Sequence, residues 1–329
     1  MTRSLELVNL SLHHPTPAGP LRAVDGVNLT LNKAETLGLV GESGCGKSSL
    51  ARCVVGLNTP QEGSVVVGGQ ALGTSAADRR AAAQRVQMVF QDPMGSLNPR
   101  HTVRRSIEQP LKIHGRGSAA ERRARVEELA AQVGLGLHLL DRYPHQISGG
   151  QRQRVSIARA LTLEPELIVC DEAVSALDVS VQAQVLNLLT KLQRDLGVSF
   201  LFISHDLSVV RYVSHRIAVM YLGQIVELGD AESVWAERRH PYTRALTSSI
   251  PDAAGGMRGE RLTGDVPSAV NPPSGCPFRT RCRHAQAICA EERPALTDDG
   301  LPHLVACHFA RDFAPLERES PPRQAATAR

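Results

Sequence analysis

Residues 41–49 read Gly-Glu-Ser-Gly-Cys-Gly-Lys-Ser-Ser, with Gly41, Gly46, Lys47 and Ser48 in the spacing G-x-x-x-x-G-K-[ST]. A polyphosphate must be met by donors from several directions. A glycine-rich turn lets successive backbone N–H groups, here those of Ser43, Gly44 and Cys45, point inward where side chains would block the approach. Lys47 adds a mobile ammonium, Ser48 a hydroxyl for Mg²⁺, and Ser49 lies in a helix whose positive end faces the anion. Further along, Ser148-Gly149-Gly150-Gln151 opens another helical stretch and forms a second anion site by the same physics. Asp171 and Glu172 end a buried apolar run, and His205 ends another. A carboxylate beside bound phosphates suits proton abstraction from water, and its neighbour suits a metal ion. Gln91, after Met88-Val89-Phe90, is uninformative alone.

These residues need strands behind them and helices after them. Glu35–Val40 reads as the buried strand into the phosphate loop, and the stretch after Ser48 has helical apolar spacing. Upstream, Leu5–Leu12 and Ala23–Leu31 alternate as half-buried antiparallel strands, with His13–Pro20 as a loop between them. Gly63–Val67 reads as a short hairpin closed by Gly68 and Gly69. The run Val86–Phe90 predicts a strand ending at Gln91, and Ser118 with Glu121 predicts a capping box on the next good helix. The region from about Asp92 to Tyr143 is thus a helical insertion in an α/β domain. Val181, Val185, Leu188, Leu192 and Leu196 mark one helix face. Arg216–Glu227 predicts two short strands, and His240-Pro241-Tyr242 opens a helix. Pro251–Gly275 is rich in proline and glycine, as a linker is, and the polar residues from Ala314 onward predict disorder.

The length of 329 residues admits about two domains. Lysine and arginine exceed aspartate and glutamate by only 4, and aromatics are 3% of the chain, which argues against a nucleic-acid partner. No apolar run has the length of a membrane span, and the opening residues alternate like a strand, so a cytosolic chain is expected. Seven cysteines should then be reduced. Cys45, Cys53 and Cys170 read as packing residues of the core, although alkylation of Cys45 should block the phosphate loop.

In order, the phosphate loop, Gln91, Ser148–Gln151, Asp171-Glu172, Ser175–Asp178 and His205 resemble the motifs of the ATP-binding-cassette ATPases over roughly the first 250 residues. The resemblance implies a P-loop NTPase fold of the α/β class, with an antiparallel β subdomain, an α/β core and a helical subdomain over about 92–160. It implies that two such domains close head to tail on two ATP molecules. By that resemblance Asp171 holds Mg²⁺ with Ser48 and Gln91, Glu172 polarises the attacking water, and His205 contacts the γ-phosphate. Ser148, Gly149, Gly150 and Gln151 reach the ATP of the opposite domain, and Asp178 lies in the loop between domains. His14 stands where the family's adenine-stacking aromatic lies, and Ala173 where many relatives have proline.

Longer stretches, among them FQDPMGSLNPR, YPHQISGGQRQR and HPYTRAL, are similar to the second ATPase of bacterial dipeptide and oligopeptide importers. That branch implies a different but related ATPase as partner, two transmembrane permease subunits, an extracytoplasmic peptide-binding protein, and a place on the cytoplasmic face of the membrane. Nickel and glutathione importers share much of the pattern. A soluble cassette ATPase of DNA repair or translation, and a nucleotide-binding regulator without turnover, are the readings outside transport. Residues 251–313 form an extension with Cys276, Cys282, Cys289 and Cys307, spaced C-x5-C-x6-C-x17-C. Four cytosolic thiolates suit a [4Fe–4S] cluster or zinc, and ordinary buried thiols are the plain alternative. The branch resemblance favours the cluster.

Overall fold

The computed structural model describes residues 2–248, 262 and 264–313. Strands β1 (Arg3–Thr16) and β2 (Gly19–Asn32) form a long antiparallel hairpin. Leu5 and Leu7 are buried with Leu29 and Leu31 by simple alternation, and register irregularities after Leu7, with Asn9 at φ +47°, change the phase so that Leu10, Leu12, Val24 and Val27 are buried as well. The strands are longer than the sequence predicts, because pairing continues through His14 with Leu21 and Pro15 with Pro20 to Thr16 with Gly19. Strand β4 pairs with β1 only as far as Ser11, so the prolines sit where β1 has a partner on one side alone and a missing N–H is tolerated.

The phosphate loop follows β3 (Thr36–Val40), whose residues are all buried, and leads into α1 (Lys47–Val54). Next come β4 (Glu62–Val67), β5 (Gln70–Ala71), α2 (Ala76–Arg85) and β6 (Val86–Val89). β6 stops two residues short of the predicted end, which leaves Gln91 on an exposed loop. The helical layer is α3 (Pro93–Ser96), α4 (Val103–Ile113), α5 (Ala119–Gln132) and α6 (Gly149–Leu161). The predicted capping box opens α5: the Ser118 N–H donates to Glu121 Oε2 at 2.7 Å and the Glu121 N–H to Ser118 Oγ at 3.3 Å. Apolar residues of the three longer helices, among them Ile107, Leu129 and Ile157, join the same core as the adjoining strands.

The chain then builds β7 (Leu167–Asp171), α7 (Val179–Leu196), β8 (Ser199–Ser204), α8 (Leu207–Val213), β9 (Arg216–Tyr221) and β10 (Gln224–Asp230). Val185, Leu188 and Leu192 of α7 are buried as predicted. Leu196 is exposed instead, on the last turn before the left-handed cap Gly197. After α9 (Ala231–Glu237) and α10 (Pro241–Ser248), the extension contributes α11 (Ile288–Glu291) and β11 (Leu304–Val305). Residues 251–261 and 263 of the predicted linker, and the tail from Ala314, lie outside the described residues.

Two sheets result. One has the order β2-β1-β4-β5; the other has the order β11-β10-β9-β3-β8-β7-β6. The run from β9 to β6 is parallel, and β3, β7 and β8 within it are buried along their whole length because both faces are covered. β11 pairs antiparallel with β10, so the extension completes an edge of the core sheet.

Candidate active site

A parallel sheet presents its chemistry at the carboxyl ends of its strands. Here four neighbouring strands in the order β3, β8, β7, β6 deliver, side by side, the phosphate loop, His205, the pair Asp171-Glu172, and Gln91. The phosphate loop turns where only glycine fits. Gly46 has φ +111°, and a Cβ there would lie 2.0 Å from the Ala23 carbonyl oxygen. Lys47 is buried, and its Nζ donates to the carbonyl oxygens of Gly41 at 2.7 Å and Glu42 at 2.9 Å, so the ammonium lies across the loop.

Ser48 Oγ donates to Asp171 Oδ1 at 3.1 Å, joining the first turn of α1 to the end of β7. Burial pushes the Asp171 carboxyl above its ordinary range; the Ser48 hydroxyl opposes that shift and Glu172 adds to it. A cation beside Asp171 would reverse this balance. A hydroxyl and a carboxylate are hard oxygen donors that suit Mg²⁺, and the Gln91 amide lies against the neighbouring Glu172.

Glu172 leaves the strand at a left-handed φ of +46°, where its N–H donates to the Ile203 carbonyl at 3.0 Å. Ser175 closes the turn from below, its Oγ donating to the Glu172 carbonyl at 3.0 Å. Such a backbone is costly for a residue other than glycine and is held here by both neighbours. The carboxylate it presents is approached at the same oxygen, Oε2, by Gln91 Nε2 at 3.0 Å and His205 Nδ1 at 3.5 Å. A carboxylate whose other oxygen has no hydrogen bond among the described residues, flanked by an imidazole and an amide, is an arrangement for holding and deprotonating a water molecule.

His14 stands beside the loop, with Nε2 3.3 Å from Ser49 Oγ. Ser148 caps α6 reciprocally: its N–H donates to Gln151 Oε1 at 2.9 Å, and the Gln151 N–H donates to Ser148 Oγ at 3.3 Å. Gly149 and Gly150 follow, and a Cβ on Gly150 would meet Val181 Cγ1 at 2.5 Å, so this cap lies against the start of α7. Asp178 caps α7, accepting from the Val181 N–H at 3.0 Å and Ser180 Oγ at 2.7 Å, contacts that hold its carboxyl below the usual range. Among the described residues no hydrogen bond ties either cap to the phosphate loop.

Cys45, Cys53 and Cys170 are buried packing residues, as the sequence predicts. Alkylation of Cys45, which would block the loop, meets a physical obstacle, since burial raises its thiol pKa against the opposing charge of Lys47. Cys276, Cys282, Cys289 and Cys307 line one small cavity with Phe278 and His240. Among the described residues no group of three or more His, Cys, Asp and Glu side chains is placed to hold a metal ion as it stands.

Sequence reasoning missed one part of the site. Glu42, inside the phosphate loop, is held by Arg281 of the extension at 2.6 and 3.1 Å, and its N–H donates to the Tyr242 hydroxyl at 2.8 Å. Only the loop motif and the His240-Pro241-Tyr242 stretch signalled this end of the molecule in the sequence.

Comparison with known proteins agrees with this geometry. The sequence model of the ABC transporter family matches residues 24–175, and that of the oligopeptide/dipeptide transporter C-terminal region matches residues 226–289. Similar proteins include the oligopeptide transport ATP-binding protein AppF of Bacillus subtilis, 51% identical over 297 residues, which are 88% of this chain and 90% of that protein. OppF of Escherichia coli is 49% identical over 318 residues, covering 92% and 95%. Among solved structures, CbiO1 of Clostridium perfringens superposes with a TM-score of 0.66 at 26% identity, over 72% of this chain and 92% of that one. The ATP-binding cassette MJ0796, solved as a dimer in a post-hydrolysis state with ADP and Pi, gives 0.63 at 29% identity over 69% and 98%. With a phosphate loop, a carboxylate pair and a histidine aligned on one sheet edge, and relatives that match along nearly their whole length, the chain belongs to the ABC transporter family, among its ATP-binding proteins.

Proposed function

We propose that this chain is the ATP-hydrolysing subunit that energises import of oligopeptides or dipeptides across a bacterial cytoplasmic membrane. The observation that carries the catalytic half is the convergence of Gln91 and His205 on one oxygen of Glu172, beside the Ser48–Asp171 contact. The names of the relatives and the match over residues 226–289 support the cargo class.

The phosphate loop, from Gly41 through Ser43, Gly44, Cys45, Gly46, Lys47, Ser48 and Ser49, binds the ATP phosphates, and His14 lies against the base. Ser48, Gln91 and Asp171 hold Mg²⁺, which neutralises phosphate charge when bound. Glu172 takes the proton of the attacking water, with Gln91 and His205 fixing its orientation. Ser148–Gln151 and Asp178 serve the ATP of the opposing cassette, in line with their absence from this chain's own cluster and with the dimeric form of MJ0796. The opposing cassette is a second, related ATPase chain, and the pair sits on two permease subunits at the cytoplasmic face, fed by an extracytoplasmic peptide-binding protein. Among the described residues no helix is long and apolar enough to cross a membrane, in keeping with a subunit that docks on others. The chain divides into a cassette over 1–250, with its helical part over about 92–160, the extension over 251–313, and a tail over 314–329.

The extension's four thiols hold a [4Fe–4S] cluster. Their convergence on one cavity supports this reading, as does the softness of thiolate donors. Burial raises the Cys276 thiol to about 11 and the Cys307 thiol to about 12, so a metal is what would keep them ionised. Iron and sulfide analysis of anaerobically purified protein checks it: about four of each per chain is expected, and zinc or no metal overturns it.

The transport role is tested with Glu172→Gln, tagged and purified with ATP from native membranes. A second cassette ATPase and two multi-span proteins should co-purify. Ribosomes, DNA or no membrane protein would end the transport reading.

A further inference from the structure

The phosphate loop carries a carboxylate at its second position, and a carboxylate beside a polyphosphate is an electrostatic liability. In this chain the charge is met from 239 residues away. Arg281 Nη1 and Nη2 donate to Glu42 Oε2 at 2.6 Å and Oε1 at 3.1 Å, a two-pronged pairing that fixes both oxygens of the carboxylate. The Arg281 side chain is 5% exposed and that of Glu42 24%, so the pair is shielded from solvent more than a surface ion pair.

The bridge has a rigid base. The Arg281 guanidinium lies 5.9 Å from the centre of the Tyr221 ring. Tyr221, Tyr242 and Phe278 form one buried aromatic cluster with centroids 4.7 to 5.5 Å apart, in which Phe278 belongs to the extension. Tyr242 also accepts the Glu42 N–H, so side chain and backbone of the same residue are held from the same side. Lys47 meanwhile donates to the Glu42 carbonyl, which leaves Glu42 tied at each of its polar groups.

We propose that Arg281 is a positioning residue for nucleotide binding, through which the C-terminal extension neutralises Glu42 and sets the affinity of the phosphate loop for ATP. Removing the guanidinium leaves a carboxylate unneutralised within the loop that must receive a polyanion. The defect is one of charge, so it should disappear when the carboxylate is removed as well. A purely structural bridge would behave differently: losing the second partner would not restore what losing the first had taken away.

The inference rests on the loop binding ATP, and the test separates the two. Binding of a fluorescent ATP analogue to the purified full-length chain is measured for the wild type, Arg281→Ala, Arg281→Lys and Arg281→Ala/Glu42→Gln, with thermal melting as a control of the fold. A wild-type chain that binds no nucleotide counts against the ATPase reading itself. Given wild-type binding, Arg281→Ala should raise Kd about tenfold, a difference that shrinks as salt screens the charge. Arg281→Lys, which keeps the charge but loses the two-pronged geometry, should bind more tightly than Arg281→Ala and more weakly than the wild type. The double variant should return to within about threefold of the wild type. If Arg281→Ala is too unstable to purify, Arg281→Gln, which keeps donors but no charge, carries the same expectation. Wild-type affinity in the folded single variant, or no recovery in the double, overturns the proposal.

Discussion

His205 Nδ1 lies 3.5 Å from Glu172 Oε2, and the two residues come from the ends of adjacent parallel strands. Glu172 follows Asp171 of β7, and His205 follows Ser204 of β8, so the neighbouring strand ends, with the left-handed turn at Glu172, put imidazole beside carboxylate. Their pairing depends on strand ends, while the helical layer, the capped helices and the extension are built around that edge. In His205→Ala the carboxylate keeps Gln91 as its one side-chain neighbour at Oε2. The hydrolysis rate should fall about 100-fold with the Kd for ATP changed little, and steady-state turnover against equilibrium binding separates the two.

Gly46→Ala should abolish nucleotide binding. Its φ of +111° and the 2.0 Å approach of a Cβ to the Ala23 carbonyl leave no room for any side chain, and the obstacle is backbone that cannot turn aside. The loop must move, at a cost of about 1–3 kcal/mol of stability if the fold survives. A melting curve and a binding titration on the same preparation would show both effects.

Cys45 should resist alkylation in the native protein despite its place in the phosphate loop. It is buried, its thiol is pushed up by that burial, and only the thiolate reacts. Mass spectrometry after a short maleimide treatment should find Cys45 unmodified in native protein and labelled after denaturation. Rapid native labelling would mean that the loop opens far more readily than its packing indicates.

His240 makes the fold sensitive to acid. Burial lowers its pKa from 6.5 to about 4, with Glu227 opposing the shift. The unfolded chain therefore binds a proton over this range that the folded chain refuses. The stabilisation is complete above pH 6.5 and is lost as pH falls toward 4, with a full value of about 3 kcal/mol at 1.36 kcal/mol per unit. Between pH 7 and pH 4.5 the wild type should lose more melting temperature than His240→Asn does. Equal losses in the two proteins would remove His240 as the cause.

The residues of the site were legible because each motif is local: a loop, a strand end or a helix start announces itself within a few positions. The strands behind them were legible too, since burial on both faces makes β3, β7 and β8 continuous apolar runs. What escaped was set by tertiary partners. Pro15 and Pro20 read as loop residues, yet the hairpin continues through them because β1 is paired on one side only there. Leu196 keeps the period of α7 but falls on its final turn, where the core no longer lies beneath it. The Arg281–Glu42 bridge leaves no pattern in the chain at all, since a pair 239 residues apart exists only once β11 and the aromatic cluster have brought the extension home.

The most direct measurement is the ATPase rate of Glu172→Gln beside its ATP affinity, in the assembled transporter complex. A carboxamide keeps the size of Glu172 but cannot accept the proton of water. Turnover should fall at least about 100-fold while ATP is bound as tightly as by the wild type. Turnover near the wild-type rate would mean that Glu172 is not the base, and the catalytic reading of this strand edge would be wrong.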